Sequence, residues 1–210
     1  MKILIVAGIL VSLAWAQGPL PGGGGGTAVP AGDYYHPYPI WAANNTAGTA
    51  GNAWSLPSSS GCVANAPATT NVVTGTILCT TSQSAQFRFT LPNSWDTGVL
   101  PYIRLAAIST DTTSSHTIIP AVAVSCANGT GGTGFDGSFH TAQTLGTITL
   151  NGTALTEQSS SVQLNSTSMT NAAPGANCNV KVTVTGTATD IEWTMAVVTV
   201  AEKSGQTGAQ

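Results

Sequence analysis

Apolar and polar side chains alternate along several short stretches of the chain. Between Phe87 and Leu91 every second residue is apolar, and the residues between them are Arg and Thr. Successive side chains of a β-strand point to opposite faces, so a period of two predicts a strand with one buried and one solvated face. The same alternation predicts a strand from Cys178 to Val184, where Cys and Val occupy one phase.

Other stretches of the chain also have strand character. They are Tyr102 to Ile108, Ile118 to Cys126, Leu145 to Leu150, the weaker Ser161 to Met169, and Ile191 to Val200. In the last of these we place Trp193 and Met195 in the inward phase. Pro120 indicates a sheet edge or a bulge, because proline has no N–H for a central ladder. Short strands without a helical period predict an all-β fold, an antiparallel β-sandwich or jelly roll.

The first sixteen residues have the pattern of a secretory signal peptide. Lys2 precedes an apolar run from Ile3 to Leu13, and Ala14-Trp15-Ala16 supplies the small residues of a cleavage site before Gln17. A membrane anchor is the alternative, but the apolar run is too short to cross a bilayer. We therefore expect a secreted or cell-surface protein, with no stable membrane insertion after signal cleavage.

Residues 17–60 differ in composition from the rest and predict an extended Gly/Pro-rich N-terminal arm. The run from Gly22 to Gly26 cannot offset its ordering entropy by burial, which predicts flexibility. Pro37 and Pro39 exclude a helix or a central strand in the aromatic cluster that follows. The other members of that cluster are Tyr34, Tyr35, His36, Tyr38 and Trp41. We expect the sandwich to span residues 61–203 and a flexible tail to span 204–210.

Charged residues make up only 6% of the chain, against about a quarter in typical globular proteins. With five Lys and Arg residues in total, the chain lacks the basic patch that nucleic-acid binding requires. The formal net charge of −3 is too small to indicate a charged partner of either sign. A surface rich in Thr, Ser and Asn instead fits neutral partners, namely glycans or other copies of the chain.

The four cysteines predict two disulfides, because an even number in an exported chain is typical of an oxidising compartment. Three pairings are possible, and we favour Cys62–Cys79 and Cys126–Cys178. Cys126 and Cys178 share the inward phase of their strands, so a bridge between them is geometrically reasonable. A metal site is the alternative, but there is no Cys-x-x-Cys pair and no His at ligand spacing. We expect neither a metal nor another cofactor.

The stretch from Phe89 to Gly98 contains Leu-Pro, then Trp-Asp, then Gly. It resembles a loosely defined group of jelly-roll domains found in phage virion proteins and in uncharacterised exported bacterial proteins. The similarity spans roughly residues 62–202 and includes cysteines at comparable places. The resemblance implies a jelly-roll fold and a history as a virion, fibre or surface component. It provides no catalytic residues to transfer to this chain.

Trp95 and Asp96 are the first candidate site. A solvent-facing Trp can stack on a sugar ring while a carboxylate accepts hydrogen bonds from sugar hydroxyls. The alternative is structural: Trp95 closes one end of the sandwich, and Asp96 caps a turn that Gly98 completes.

The aromatic cluster of the arm is the second candidate, and Tyr34, Tyr35, Tyr38 and Trp41 are its site residues. It could bind sugars, or it could add to an exposed sheet edge of its own domain or of a neighbouring subunit. We favour the two edge-addition interpretations.

Catalysis has little support in the sequence. Ser138 lies near Asp136 and His140, but without the nucleophile-elbow pattern of a serine hydrolase. Asp190 and Glu192 lie on one strand edge, which is more typical of a turn and a solvated face than of a paired-carboxylate cleft. The sequence thus predicts a secreted, non-catalytic structural or adhesive component that can self-assemble through its arm. A glycan-binding module is the alternative, and a secreted hydrolase is the third hypothesis.

Overall fold

The computed structural model describes residues 34–41, 54–56, 62–65, 76–127 and 138–203. They form strands and turns without a helix. The strands are β1 Tyr34–Trp41, β2 Trp54–Ser55, β3 Val63–Asn65, β4 Thr76–Cys79, β5 Ser84–Thr90, β6 Tyr102–Ser109, β7 Thr117–Ala127, β8 Gln143–Thr144, β9 Ile148–Thr149, β10 Gln158–Gln163, β11 Asn177–Gly186 and β12 Ile191–Glu202.

Two antiparallel sheets contain these strands. The first has the order β10-β6-β12-β4-β3, with β1 paired to β12 beyond the end of β4. The second has the order β2-β5-β11-β7-β8, with β9 also paired to β7. From β4 onward the chain passes from one sheet to the other at nearly every connection, and the orders β4-β12-β6-β10 and β5-β11-β7-β8/β9 are those of an eight-stranded jelly roll. The predicted all-β sandwich is confirmed.

One hydrophobic core lies between the two sheets. The alternating residues of β5 and β11 point into it, and Phe87, Val180 and Val182 are almost completely buried. From β12 and β6 come Trp193, Val198 and Leu105. The alternation that predicts these strands is therefore the alternation that fills the core.

The inward phase of β12 changes at a β-bulge between Trp193 and Met195. Trp193 is buried, but Met195 is only half-buried, and the inward positions after the bulge are Ala196, Val198 and Val200. The prediction that Met195 continues the inward phase is wrong, because one extra residue in a bulge moves every later side chain to the other face.

Two further details differ from the sequence pattern or refine it. The weak strand predicted from Ser161 to Met169 lies instead at β10, and turns follow Leu164. Pro120 lies in β7 between the residues that pair with β9 and those that pair with β8. Its C=O accepts the N–H of Leu145 at 2.8 Å. Because the C=O and N–H positions of one strand residue point to the same side, the missing N–H lies on the side of β8 and β9 and not on the side of β11.

Both predicted disulfides are present, and each joins directly opposed residues of antiparallel neighbours. Cys126 of β7 faces Cys178 of β11, with a Cα–Cα distance of 4.0 Å. Cys62 lies one residue before β3 and continues its register opposite Cys79 of β4, with a Cα–Cα distance of 4.5 Å. Each sheet therefore contains one cross-strand bridge.

Two strands precede residue 61, where the sequence predicts the sandwich to begin. β1 pairs with β12 over eight residues, and β2 places Trp54 in the core, where its ring lies 5.1 Å from that of Phe87. Part of the segment predicted as an arm is thus built into both sheets. The predicted signal peptide, the Gly-rich run and the C-terminal tail from residue 204 lie outside the described residues.

Candidate interaction site at the N-terminal strand

β1 forms an edge of the first sheet. Its register with β12 runs without a break from Tyr34 opposite Glu202 to Trp41 opposite Met195. His36, Tyr38 and Ile40 lie opposite the inward residues of β12, and Ile40 is buried to 7% exposure in the core. Tyr35 lies on the outer face and is 37% exposed. The side chains of Tyr34 and Trp41 lie outside the described residues.

A carboxylate at the end of β12 joins β1 to the rest of the sandwich. Glu202 accepts a hydrogen bond from the hydroxyl of Tyr38 at 2.6 Å and lies 3.0 Å from Nδ1 of His36. It also accepts the hydroxyl proton of Ser94, which precedes Trp95. We call His36, Tyr38, Ser94 and Glu202 the Glu202 cluster.

The Glu202 cluster shifts the pKa values of two of its members. Burial raises the pKa of Tyr38 to about 12, and its hydrogen bond to Glu202 and the negative charge of that carboxylate act in the same direction. Burial opposes ionisation of Glu202. Nevertheless, hydrogen bonds from Ser94, Tyr38 and His36 together outweigh burial and lower the pKa of that carboxyl. The cluster therefore stabilises an ionised Glu202 beside a protonated Tyr38.

The order of groups in the Glu202 cluster differs from that of a nucleophilic triad. In a triad, the imidazole accepts the proton of the nucleophile and the acid orients the imidazole. Here the hydroxyl of Ser94 and the imidazole of His36 both bind the carboxylate, which lies between them. Ser94 is also buried to 2% exposure. The arrangement can hold strands together, but the group that accepts the Ser94 proton is the Glu202 carboxylate and not the imidazole that a triad requires.

Trp95 and Asp96 form the turn next to this cluster. Trp95 is buried to 4% exposure, and its indole N–H donates to the C=O of Val99 at 3.0 Å. Asp96 accepts the backbone N–H of Gly98 at 2.9 Å, and its own N–H donates to the C=O of Ala201 in β12 at 2.8 Å. These contacts favour the structural interpretation of the pair, because a buried ring presents no face to a sugar.

A second carboxylate organises one end of the sandwich. Asp111 accepts Nδ1–H of His116 at 2.5 Å and the backbone N–H groups of Thr113 and Thr189 at 2.9 and 3.2 Å. The hydrogen bond from His116, followed by that from Thr113, holds the pKa of Asp111 well below its usual range. Because Thr189 belongs to the turn between β11 and β12, Asp111 joins that turn to the loop after β6.

Within the described part of the chain, no side-chain hydrogen bond joins the other candidate catalytic residues to one another. Ser138 is exposed and His140 is half-buried, while Asp136 lies outside the described residues. Glu192 accepts the hydroxyl proton of Thr76 on the neighbouring strand β4 at 2.6 Å. Asp190 lies 3.4 Å from the hydroxyl of Thr110.

The described residues contain neither a metal-binding cluster nor a membrane-spanning helix. Among them, no group of three or more His, Cys, Asp or Glu side chains is placed to hold a metal ion. The same part of the chain contains no helix long and apolar enough to span a membrane.

Sequence reasoning identifies Tyr38 but not its partner. Tyr38 and Glu202 are 164 residues apart, and only the register between β1 and β12 brings them together. The signal present in the sequence is the i, i+2 spacing of His36, Tyr38 and Ile40, which places these side chains on one face of an extended strand.

Comparisons with known proteins leave the family open. No family model and no curated protein matches the chain. Among solved structures, the chain is similar to dimeric latent PorU from Porphyromonas gingivalis, with a TM-score of 0.41 and 9% identity over 86% of this chain and 14% of that one. It is also similar to the CBM22-1-GH10 modules of xylanase Xyn10B from Clostridium thermocellum, complexed with xylohexaose. There the TM-score is 0.43, with 14% identity over 81% of this chain and 30% of that one.

Proposed function

We propose that the protein is a secreted, non-catalytic structural or adhesive component that assembles through its N-terminal arm. The observation that carries this proposal is the position of β1, which lies on a sheet edge and bonds β12 over eight residues. An extended segment that adds to a sheet edge is a common mode of protein–protein recognition. β1, a described part of the arm, thus has the extended conformation that assembly by strand addition requires.

Two other features support a structural role outside the cell. Each sheet contains a cross-strand disulfide, and disulfides persist in oxidising compartments such as the cell exterior. The resemblance of the stretch from Leu91 to Gly98 to jelly-roll domains of phage virion proteins and uncharacterised exported bacterial proteins belongs to the same proposal. The signal-peptide pattern at Lys2 to Ala16 provides the route of export.

Localisation tests the proposal directly. Antibodies against the sandwich, used on intact cells that naturally express the chain, are expected to label the surface or extracellular material. Labelling of a fibre or a regular layer would support assembly. Antigen recovered only from the cytoplasm would contradict the proposal, and a signal-peptide deletion provides the matched intracellular control.

A glycan-binding module is the second candidate, and the exposure of Tyr35 is the observation that favours it. Tyr35 lies on the outer face of β1 at 37% exposure, and aromatic faces bind sugar rings by stacking. A glycan array with the mature protein tests this candidate. Binding that Tyr35→Ala abolishes would support it, whereas an array without signal would contradict it.

A further inference from the structure

The eight-stranded jelly roll is complete without β1. β4, β12, β6 and β10 already form one half, and β5, β11 and β7 form the other with β8 and β9, which share the fourth position. Both disulfides lie outside β1. Without β1, one edge of β12 would be open from Met195 to Glu202. We call this edge the acceptor edge. Its other side is held by β6 up to Thr199 and by the Trp95 turn beyond that point.

Only one set of alternate residues in β1 can form backbone hydrogen bonds with the acceptor edge. The ladder continues through Pro37 and Pro39, which have no N–H. Continuity is possible only if alternate residues make the bonds to β12, and these are His36, Tyr38 and Ile40. The two prolines then face away from β12. Because they leave that side without two donors, β1 is a poor template for another strand, and the acceptor edge takes one strand only.

Side chains give the acceptor edge its sequence preference. Ile40 enters the core, and its C=O accepts the indole N–H of Trp54 at 3.2 Å. Tyr38 packs against the same core and donates to Glu202. Alternate side chains in pockets and a backbone ladder are the two parts of peptide recognition by β-augmentation.

The segment that connects β1 to β2 is long enough for β1 to pair with a neighbouring chain. Residues 42–53 separate β1 from β2, and twelve residues reach up to about 40 Å when extended. This span is about four times the separation of about 10 Å between two packed sheets. β1 can therefore pair with β12 of another chain while it remains attached to its own β2.

We propose that the acceptor edge, Met195 to Glu202, binds the β1 strand of a second copy of this chain in exchange for its own. Exchange replaces the intramolecular ladder with an identical intermolecular one, so the two states differ mainly in chain entropy and concentration. Each copy donates one strand and accepts one strand, because the prolines end the sheet. The proposal deepens the proposed assembly through the arm and rests on it only for its biological use.

A peptide of residues 34–41 tests the acceptor edge. In full-length Ile40→Asp protein the resident strand carries a charge where the core requires an apolar group, so the edge becomes available. Fluorescence anisotropy is expected to show that this variant binds the labelled wild-type peptide. A peptide with Ile40→Asp is expected to bind about tenfold to hundredfold more weakly. Leu155→Asp places the same charge at an exposed apolar residue and is the matched control, with the resident strand retained.

Absence of peptide binding by a folded Ile40→Asp chain would overturn the proposal. Should circular dichroism show that this variant is unfolded, full-length Ile40→Ala takes its place with the same expectation. The second measurement is light scattering after size-exclusion chromatography. The wild-type mass is expected to rise above one chain with concentration, and the Ile40→Asp mass is not. A wild-type protein of one-chain mass at every concentration would overturn exchange between copies. Neither measurement depends on where cells place the protein, so the localisation test can fail independently.

Discussion

Removal of one disulfide at a time should destabilise the sandwich by amounts that follow loop length. The Cys126–Cys178 bridge closes a loop with a sequence separation of 52, and the Cys62–Cys79 bridge one of 17. In the chain-entropy model these loops correspond to about 4 and about 3 kcal/mol. Replacement of both cysteines of a pair by Ala avoids a free thiol. We therefore expect the Cys126/Cys178 variant to be the less stable of the two by about 1 kcal/mol.

Equilibrium unfolding in denaturant, followed by tryptophan fluorescence, measures both free energies. Trp95 and Trp193 are buried, so their emission should change when the core opens. The two double variants are each other's control, because both remove two buried sulfurs and one bridge. A Cys126/Cys178 variant as stable as the wild type, or more stable than the Cys62/Cys79 variant, would refute this reasoning.

Three further predictions concern Tyr38, Trp95 and Asp111. The raised pKa of Tyr38 means that its protonated form stabilises the fold fully below pH 10, and that this contribution is lost as pH rises towards about 12. Tyrosinate absorbance should therefore show one tyrosine that ionises at unusually high pH. This tyrosine should ionise at lower pH in Glu202→Gln and be missing in Tyr38→Phe. Trp95→Ala should cost about 3–5 kcal/mol of unfolding free energy in a denaturant titration, and a loss below that of an exposed-site variant would contradict its packing role. The lowered pKa of Asp111 means that its ionised form stabilises the fold at any pH above the usual carboxyl pKa, and that this contribution disappears as pH falls. Asp111→Asn should therefore weaken the loss of unfolding free energy at acid pH. An unchanged acid dependence would contradict the role of Asp111.

Local patterns in the sequence predict the sandwich well. Alternation from Phe87 to Leu91 and from Cys178 to Val184 directly reports which side chains face the core, since the period of a strand is a local property. The cysteine pairing follows from the same phase, because Cys126 and Cys178 occupy inward positions of strands that prove to be neighbours.

Long-range pairing explains what the sequence pattern misses. The bulge before Met195 depends on how β12 pairs with β6. The residues next to it in the sequence carry no pattern that predicts it. The partner of Tyr38 lies at the other end of the chain. The prolines of β1 predict an edge strand, but the choice of β12 as the strand it joins depends on the assembled sheet.

Amide hydrogen exchange in β1 tests most directly whether the N-terminal strand completes the sheet. If β1 pairs with β12 as described, the N–H groups of His36, Tyr38 and Ile40 face β12 and should exchange slowly in the mature protein, as measured by NMR. Exchange of all three at the rate of an unstructured peptide would contradict the ladder, the Glu202 cluster and the acceptor edge together.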